Sequence, residues 1–105
     1  MPIQLSVYER RDSGDRETMG NTALELCRMT RKLKGITSSR FYWVGSESIV
    51  ILTEGETAAL NAPASAYPAG SARLAFTLAD NARMTLSMRL AEPRDAVQSY
   101  RRAGR

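Results

Sequence analysis

The order in which the hydrophobic pattern changes period limits what this chain can fold into. Ile3, Leu5 and Val7 alternate with Gln4, Ser6 and Tyr8, the period of two of a half-buried strand. Beyond the break at Arg11-Asp12-Ser13-Gly14-Asp15 the period becomes helical from Arg16 to Lys34. There Met19, Ala23, Leu26, Thr30 and Leu33 share one face, widened by Leu24 and Cys27. Asp15 and Glu17 at the start and Arg28, Arg31, Lys32 and Lys34 at the end suit the helix dipole, and Gly35 is a natural stop. Residues 36–45 and 48–54 are rich in β-branched and aromatic side chains and read as a hairpin turning at Gly45-Ser46-Glu47-Ser48. Glu56 to Asn61 makes a short helix, and Pro63, Ser65, Pro68 and Gly70 mark an irregular connection. Residues 71–82 fit both periods. Leu74, Phe76 and Leu78 alternate, while Leu74, Ala75, Leu78, Ala79 and Ala82 share a helical face, and the alanine content favours helix. Met84, Leu86, Met88 and Leu90 then alternate with Thr85, Ser87 and Arg89 in a last strand stopped by Pro93. Asp95 can cap a final short helix, Ala96 to Arg102.

The order β-α-β-β-α-β predicts an α+β, ferredoxin-like domain spanning residues 1–105. It has a four-stranded antiparallel sheet in order 4-1-3-2, both helices on one face, and a short C-terminal helix. The usual rule of apolar side inward turns Ile3, Leu5, Val7, Met84, Leu86, Met88 and Leu90 towards the helices. It leaves Gln4, Ser6, Tyr8, Arg10, Thr85, Ser87 and Arg89 on the open face. The parity of the second strand stays open. The third strand is apolar on both parities, Ile49 and Ile51 against Val50 and Leu52. The open face is therefore expected to be covered by a second copy across a two-fold axis, giving a homodimer.

Composition removes whole classes of chemistry. The chain has no histidine, which excludes imidazole bases and His-ligated zinc or haem. Its single cysteine, Cys27, excludes an internal disulfide and thiolate-rich metal sites. No Gly-rich phosphate loop is present, and no cofactor or metal is expected. The net charge of +4 is ordinary for a small soluble domain, and 43% hydrophobic residues suit a packed core. The longest apolar run, Ile49 to Leu52, is far too short to span a membrane, and the chain opens directly on its first strand. With one unpaired cysteine, these features lead to the expectation of a cytoplasmic protein.

The element order, the chain length, and an aromatic second strand (Arg40-Phe41-Tyr42-Trp43) followed by an apolar third resemble the dimeric α/β-barrel proteins. These include antibiotic-biosynthesis monooxygenase-like, EthD-like, stress-responsive A/B and GYD-type domains. The resemblance covers Ile3 to about Leu90 and rests on layout, so no catalytic set carries over to this chain. It implies a homodimer acting on, or binding, a small organic molecule. Haem-handling members rely on a histidine that is missing here.

The densest aromatic and cationic stretch supplies the first site candidates. Arg40 can hold an anionic or enolate oxygen, Tyr42 can donate a proton, and Trp43 can wall a pocket. Tyr8, Arg89, Ser6 and Ser87 lie on neighbouring strands and can add polar groups, and Tyr67 beside Pro68 can form a lid. Cys27 and the Arg28/Arg31/Lys32/Lys34 cluster read as a buried small hydrophobe and a solvated helix end. Three classes of function follow. One is cofactor-independent binding or transformation of a small organic molecule, and another is a non-catalytic structural or regulatory interaction protein. The third is RNA binding on the open sheet. Nucleic acid fits poorly, because the third strand has no aromatic residue and the first has only Tyr8.

Overall fold

A computed structural model of the chain describes residues 1–93. In order come β1 (Ile3–Arg10), α1 (Arg16–Arg31), β2 (Ile36–Val44), β3 (Ser48–Gly55), α2 (Thr57–Leu60), a turn of 3-10 helix (Ala64–Ala66), α3 (Ser71–Asn81) and β4 (Ala82–Leu90). The strands form one antiparallel sheet in the order β2-β3-β1-β4, with β1 and β3 central. This is the ferredoxin-like α+β arrangement that the sequence pattern leads one to expect. The segment that fits two periods is helical, with Leu78 buried and Leu74 half-buried. The short helix expected over Ala96–Arg102 lies outside the described residues.

Local chemistry sets the ends of α1. The Asp15 carboxylate accepts from the hydroxyl and the backbone N–H of Thr18 at 2.7 and 2.8 Å, and these bonds hold it below the usual carboxylate range. The helix stops at Arg31 rather than Lys34, because the N–H groups of Lys32 and Leu33 turn to the carbonyls of Met29 and Thr30. Gly20 weakens a helix interior, yet packing explains it. A Cβ there would lie 3.1 Å from Cζ2 of Trp43, whose ring is stacked under the Arg16 guanidinium at 4.1 Å. The core joins Met19 and Ala23 of α1, Ile49 of β3, Leu78 of α3 and Ala82 of β4. Tyr8, Leu26, Phe41, Trp43 and Ile51 pack against it.

Strand register assigns the two faces, and it corrects the expected orientation. Tyr8, Ile49 and Trp43 form one cross-strand row and Ser6, Ile51 and Phe41 the next, both on the helix-covered side. Gln4, Ser6, Tyr8 and Arg10 therefore lie under the helices, with Ser87 and Arg89 beside them. Ile3, Leu5 and Val7 point the other way, in rows with Leu90, Met88 and Leu86 and with Glu54, Leu52 and Val50. A register shift between Val7 and Tyr8 separates Met84 from Leu86, Met88 and Leu90. Met84 opposes Tyr8 on the helix side. Alternation shows which residues share a face. It does not say which face the helices cover, and here the buried Ile49 and the aromatic parity of β2 decide that.

The ends of β2 and β3 meet closely at Gly55. A Cβ there would sit 2.6 Å from the carbonyl oxygen of Gly35 and 2.8 Å from Cδ1 of Ile36. Gly55→Ala is expected to cost about 1–3 kcal/mol through overpacking. Urea denaturation reads this as a lower midpoint at unchanged slope. An unaltered midpoint would show that the two strand ends are not held together in this way.

Candidate functional site

The helix-covered face of β1 and β4 is apolar at one end and polar at the other. At the apolar end, Tyr8, Leu26, Ala75, Leu78, Ala82 and Met84 line a cavity of about 300 Å³ between α1, α3 and the sheet, with Arg11 at its edge. Arg11 is held there by Nε donating to the Ala79 carbonyl at 2.8 Å. Burial pushes the Tyr8 phenol above its ordinary range, so the hydroxyl is a neutral donor and acceptor at physiological pH.

Along the same strands towards the opposite end, a polar ladder replaces the apolar wall. Arg89 of β4 donates through Nε to Oε1 of Gln4 at 2.9 Å and through Nη2 to Oδ1 of Asn61 at 3.0 Å. Gln4 in turn donates through Nε2 to Oγ of Ser87 at 2.9 Å. Ser6 is the direct cross-strand partner of Ser87. Asn61 arrives from the C-cap of α2. Arg89 is held by neutral carbonyl oxygens, and among the described residues no carboxylate pairs with it. Among the described residues its charge is available to an anionic oxygen, and its planar fork is already oriented. Chemically, the ladder can bind and stabilise an oxyanion, and the cavity, two cross-strand rows away on the same face, can take an apolar ring.

The residues singled out in the sequence are not brought together. Tyr8 and Arg89 share the helix-covered face. Arg40 and Tyr42 lie on the open face, beside a shallow hollow of about 190 Å³ with Ile3, Ser38, Leu52 and Glu54. Trp43 packs on α1 at Gly20 and under Arg16, a core position. At the outer edge of β2 the two also border a hollow of about 230 Å³ against α1, with Leu24, Cys27, Arg31 and Phe41, on the far side of α1 from Tyr8 and Arg89. Tyr67 is half-buried just after the 3-10 turn, its N–H donating to Ala64. Cys27 is buried near the hydroxyl pair Ser39–Thr53 (2.9 Å), and burial pushes its thiol up, which disfavours the thiolate. Sequence reasoning missed Gln4 and Asn61. Gln4 shares the parity of Ser6 and Tyr8 and was therefore visible as part of a polar face. Nothing in the local pattern marked Asn61.

Other proteins share the fold. A conserved protein of unknown function from Bacteroides thetaiotaomicron, described as a possible oxidoreductase, superposes with a TM-score of 0.68 at 20% identity, covering 85% of this chain and 95% of that one. SnoaB from Streptomyces nogalater, described as a cofactor-independent oxygenase, gives a TM-score of 0.74 at 8% identity over 88% of this chain and 92% of its own. A protein described as an antibiotic biosynthesis monooxygenase gives 0.67 at 15% identity over 89% and 100%. The chain therefore has the ferredoxin-like fold of the antibiotic-biosynthesis monooxygenase-like proteins. No protein-family model matches the sequence, and no curated protein matches it either. No helix among the described residues is long and apolar enough to cross a membrane.

The burial of Tyr8 has a measurable consequence. Its folded pKa lies above the unfolded value near ~10, so the unfolded chain loses this proton first as pH rises. Stability is therefore fully present below that range and falls above it. In a spectrophotometric titration Tyr8→Phe is expected to remove one phenol that ionises above its ordinary range and to reduce the alkaline loss of stability. Equal alkaline limbs in both proteins would contradict the buried placement.

Proposed function

We propose that this chain binds a small enolisable or phenolic organic molecule between α3 and the β1/β4 half of the sheet, holds it as its anion, and works as a homodimer. The observation that carries the reading is one sheet face bearing an apolar cavity beside Tyr8 and, two cross-strand rows further along, an Arg89 guanidinium held ready by Gln4 and Asn61. Few convergent polar groups beside an apolar wall are the usual form of a small-molecule site. The likeness to a described cofactor-independent oxygenase supports oxidation by dioxygen as the reaction. In that chemistry an enolisable CH2 becomes C=O, one oxygen atom enters the product, and the other leaves as water with the two hydrogens. The substrate supplies the electrons, and the protein's share is to stabilise the enolate through Arg89.

The test uses 4-nitrophenol, whose phenolate is yellow. Below the probe's own pKa, added protein is expected to raise the phenolate absorbance. Arg89→Met should weaken that binding roughly ten- to hundredfold, as expected for a charge-assisted contact. It should change stability by less than about 1 kcal/mol, because the ladder is exposed. No rise in absorbance with the unmodified protein would remove the anion-binding reading and favour a non-catalytic structural or regulatory role.

The open face supports the dimer. Ile3, Leu5, Val7, Val50 and Leu52 adjoin Leu86, Met88 and Leu90, which remain 44, 43 and 40% exposed. Arg40, Glu54 and the Glu9–Arg83 pair border this patch, as a polar rim borders an interface core. A second copy related by a two-fold axis covers such a self-complementary patch. The free buried Cys27 suits a reducing, cytoplasmic setting. Light scattering should give twice 11.6 kDa for the unmodified chain and 11.6 kDa for Leu86→Lys/Met88→Lys. A mass of 11.6 kDa for the unmodified chain across the micromolar range would sink the dimer.

A further inference from the structure

Arg11 is the charged residue bordering the apolar cavity beside Tyr8, and three bonds fix where it stands. Its backbone N–H donates to the Asn81 carbonyl at 2.9 Å, and its own carbonyl accepts from the Gly14 N–H at 2.8 Å. Its Nε donates to the Ala79 carbonyl at 2.8 Å. Gly14 is fitted to this clamp, since a Cβ there would run into the Asn81 carbonyl oxygen. The guanidinium therefore meets the cavity edge already held, and among the described residues no carboxylate pairs with it. Neighbouring charges are engaged with one another. Arg10 pairs with Glu47 and Arg83 with Glu9, and the Asp12 carboxylate acts on Arg10. Arg11 shares with Glu9, Arg10, Asp12 and Arg83 a second, polar hollow of about 230 Å³, so it belongs both to an apolar cavity and to a wet one.

Tyr8 supplies an independent observation. Burial alone accounts for the upward push on its phenol, with no hydrogen bond contributing. Nor is the hydroxyl sealed in, for the enclosed side-chain oxygen without a partner among the described residues is that of Ser71. The cavity wall thus carries a polar group that a ligand atom can reach, among Leu26, Leu78 and Met84. Its volume of about 300 Å³ takes two fused rings.

We infer that this cavity takes a monocarboxylic acid with a compact aromatic body, its ring against Tyr8, Leu78 and Met84 and its carboxylate on the Arg11 guanidinium. With Nε engaged, the two Nη groups remain, and their planar fork matches the two oxygens of a carboxylate. The inference deepens the reading above by adding an acidic function to the ligand. It rests on that reading for the cavity as the seat of the ring and is separate from the Arg89 contact.

The experiment measures, by calorimetry, the affinities of 2-naphthoate and of the uncharged naphthalene-2-carboxamide for the unmodified chain, Arg11→Met, Arg11→Lys and Arg89→Met. The unmodified chain is expected to bind the carboxylate roughly ten- to hundredfold more tightly than the carboxamide, the worth of one charge-assisted contact. Added salt should narrow that gap. Arg11→Met should abolish the preference by weakening the carboxylate alone. Arg11→Lys keeps the charge without the fork and should retain part of it. Equal affinities for the two probes in the unmodified chain would overturn the assignment without any variant. A preference that survives Arg11→Met, or that disappears with Arg89→Met instead, would put the carboxylate elsewhere and overturn it too. If Arg11→Met does not fold, a gap unmoved by salt overturns the assignment and a smaller gap in Arg11→Lys supports it. The Arg89 reading is judged apart, by 4-nitrophenol. A chain that prefers naphthoate through Arg11 but binds no phenolate keeps Arg11 as the anchor and loses Arg89. A chain that binds 4-nitrophenol and neither naphthalene probe does the reverse.

Discussion

The burial of Ile49 between sheet and helices commits nearly every other side chain of the sheet to a face. It is fully enclosed, next to Met19, Ala23, Leu78 and Ala82. Because β3 is central and paired on both sides, its parity passes to β1 through Tyr8 and to β2 through Trp43. From there the row of Gln4 and Thr53, four residues further along, must also lie under the helices. A one-residue slip in either pairing would turn the whole set over. The polar ladder thus follows from where one isoleucine is buried. The helices do not select it.

The register shift in β4 makes the two ends of the site differ. With uninterrupted alternation from Ser87, Thr85 would oppose Tyr8. The shift opposes Tyr8 with Met84, an apolar wall for the cavity, and leaves Ser87 and Arg89 in place at the polar end. Leu86, Met88 and Leu90 stay on the far face, where they extend the apolar rows of β1. One extra residue therefore turns Met84 to the helix side without disturbing the rows beyond it.

Much of the fold was legible because the signals were local. The period of two at Ile3–Val7, the helical stripe ending in basic residues, and the turn residues Gly45 and Ser46 each act within a few positions. The alanine-rich 71–82 segment resolved to helix on propensity. The orientation of the sheet was not legible, for a physical reason: this sheet is apolar on both faces. The aromatic Phe41 and Trp43 sit on one face and Leu5, Leu52 and Met88 on the other, so the apolar-inward rule had no unique answer. The site suffered accordingly. Tyr8 and Arg89 were recognisable as polar groups on neighbouring strands, but Arg40 and Tyr42 were grouped with them across a sheet that separates them. Asn61 reaches Arg89 only through tertiary folding, from a helix of four residues.

The two faces are coupled through the same pair of strands. Gln4 and Ser6 flank Leu5 in β1, and Ser87 and Arg89 flank Met88 in β4, so ladder and apolar patch are interleaved residue by residue. β4 is an edge strand paired only with β1, and every residue from Arg83 to Leu90 is exposed in the single chain. Such a strand has few apolar contacts to hold its side chains at fixed geometry. Arg89 is aligned through neutral hydrogen bonds to Gln4 and Asn61, each modest in net worth. A second copy covering Leu86, Met88 and Leu90 removes apolar surface on the very strand that carries the guanidinium. In the proposed homodimer that interface would be more than a cover for hydrophobic side chains. It would stiffen the wall from which Arg89 projects, so that the precision of the proposed anion site would depend on a partner that never touches the ligand.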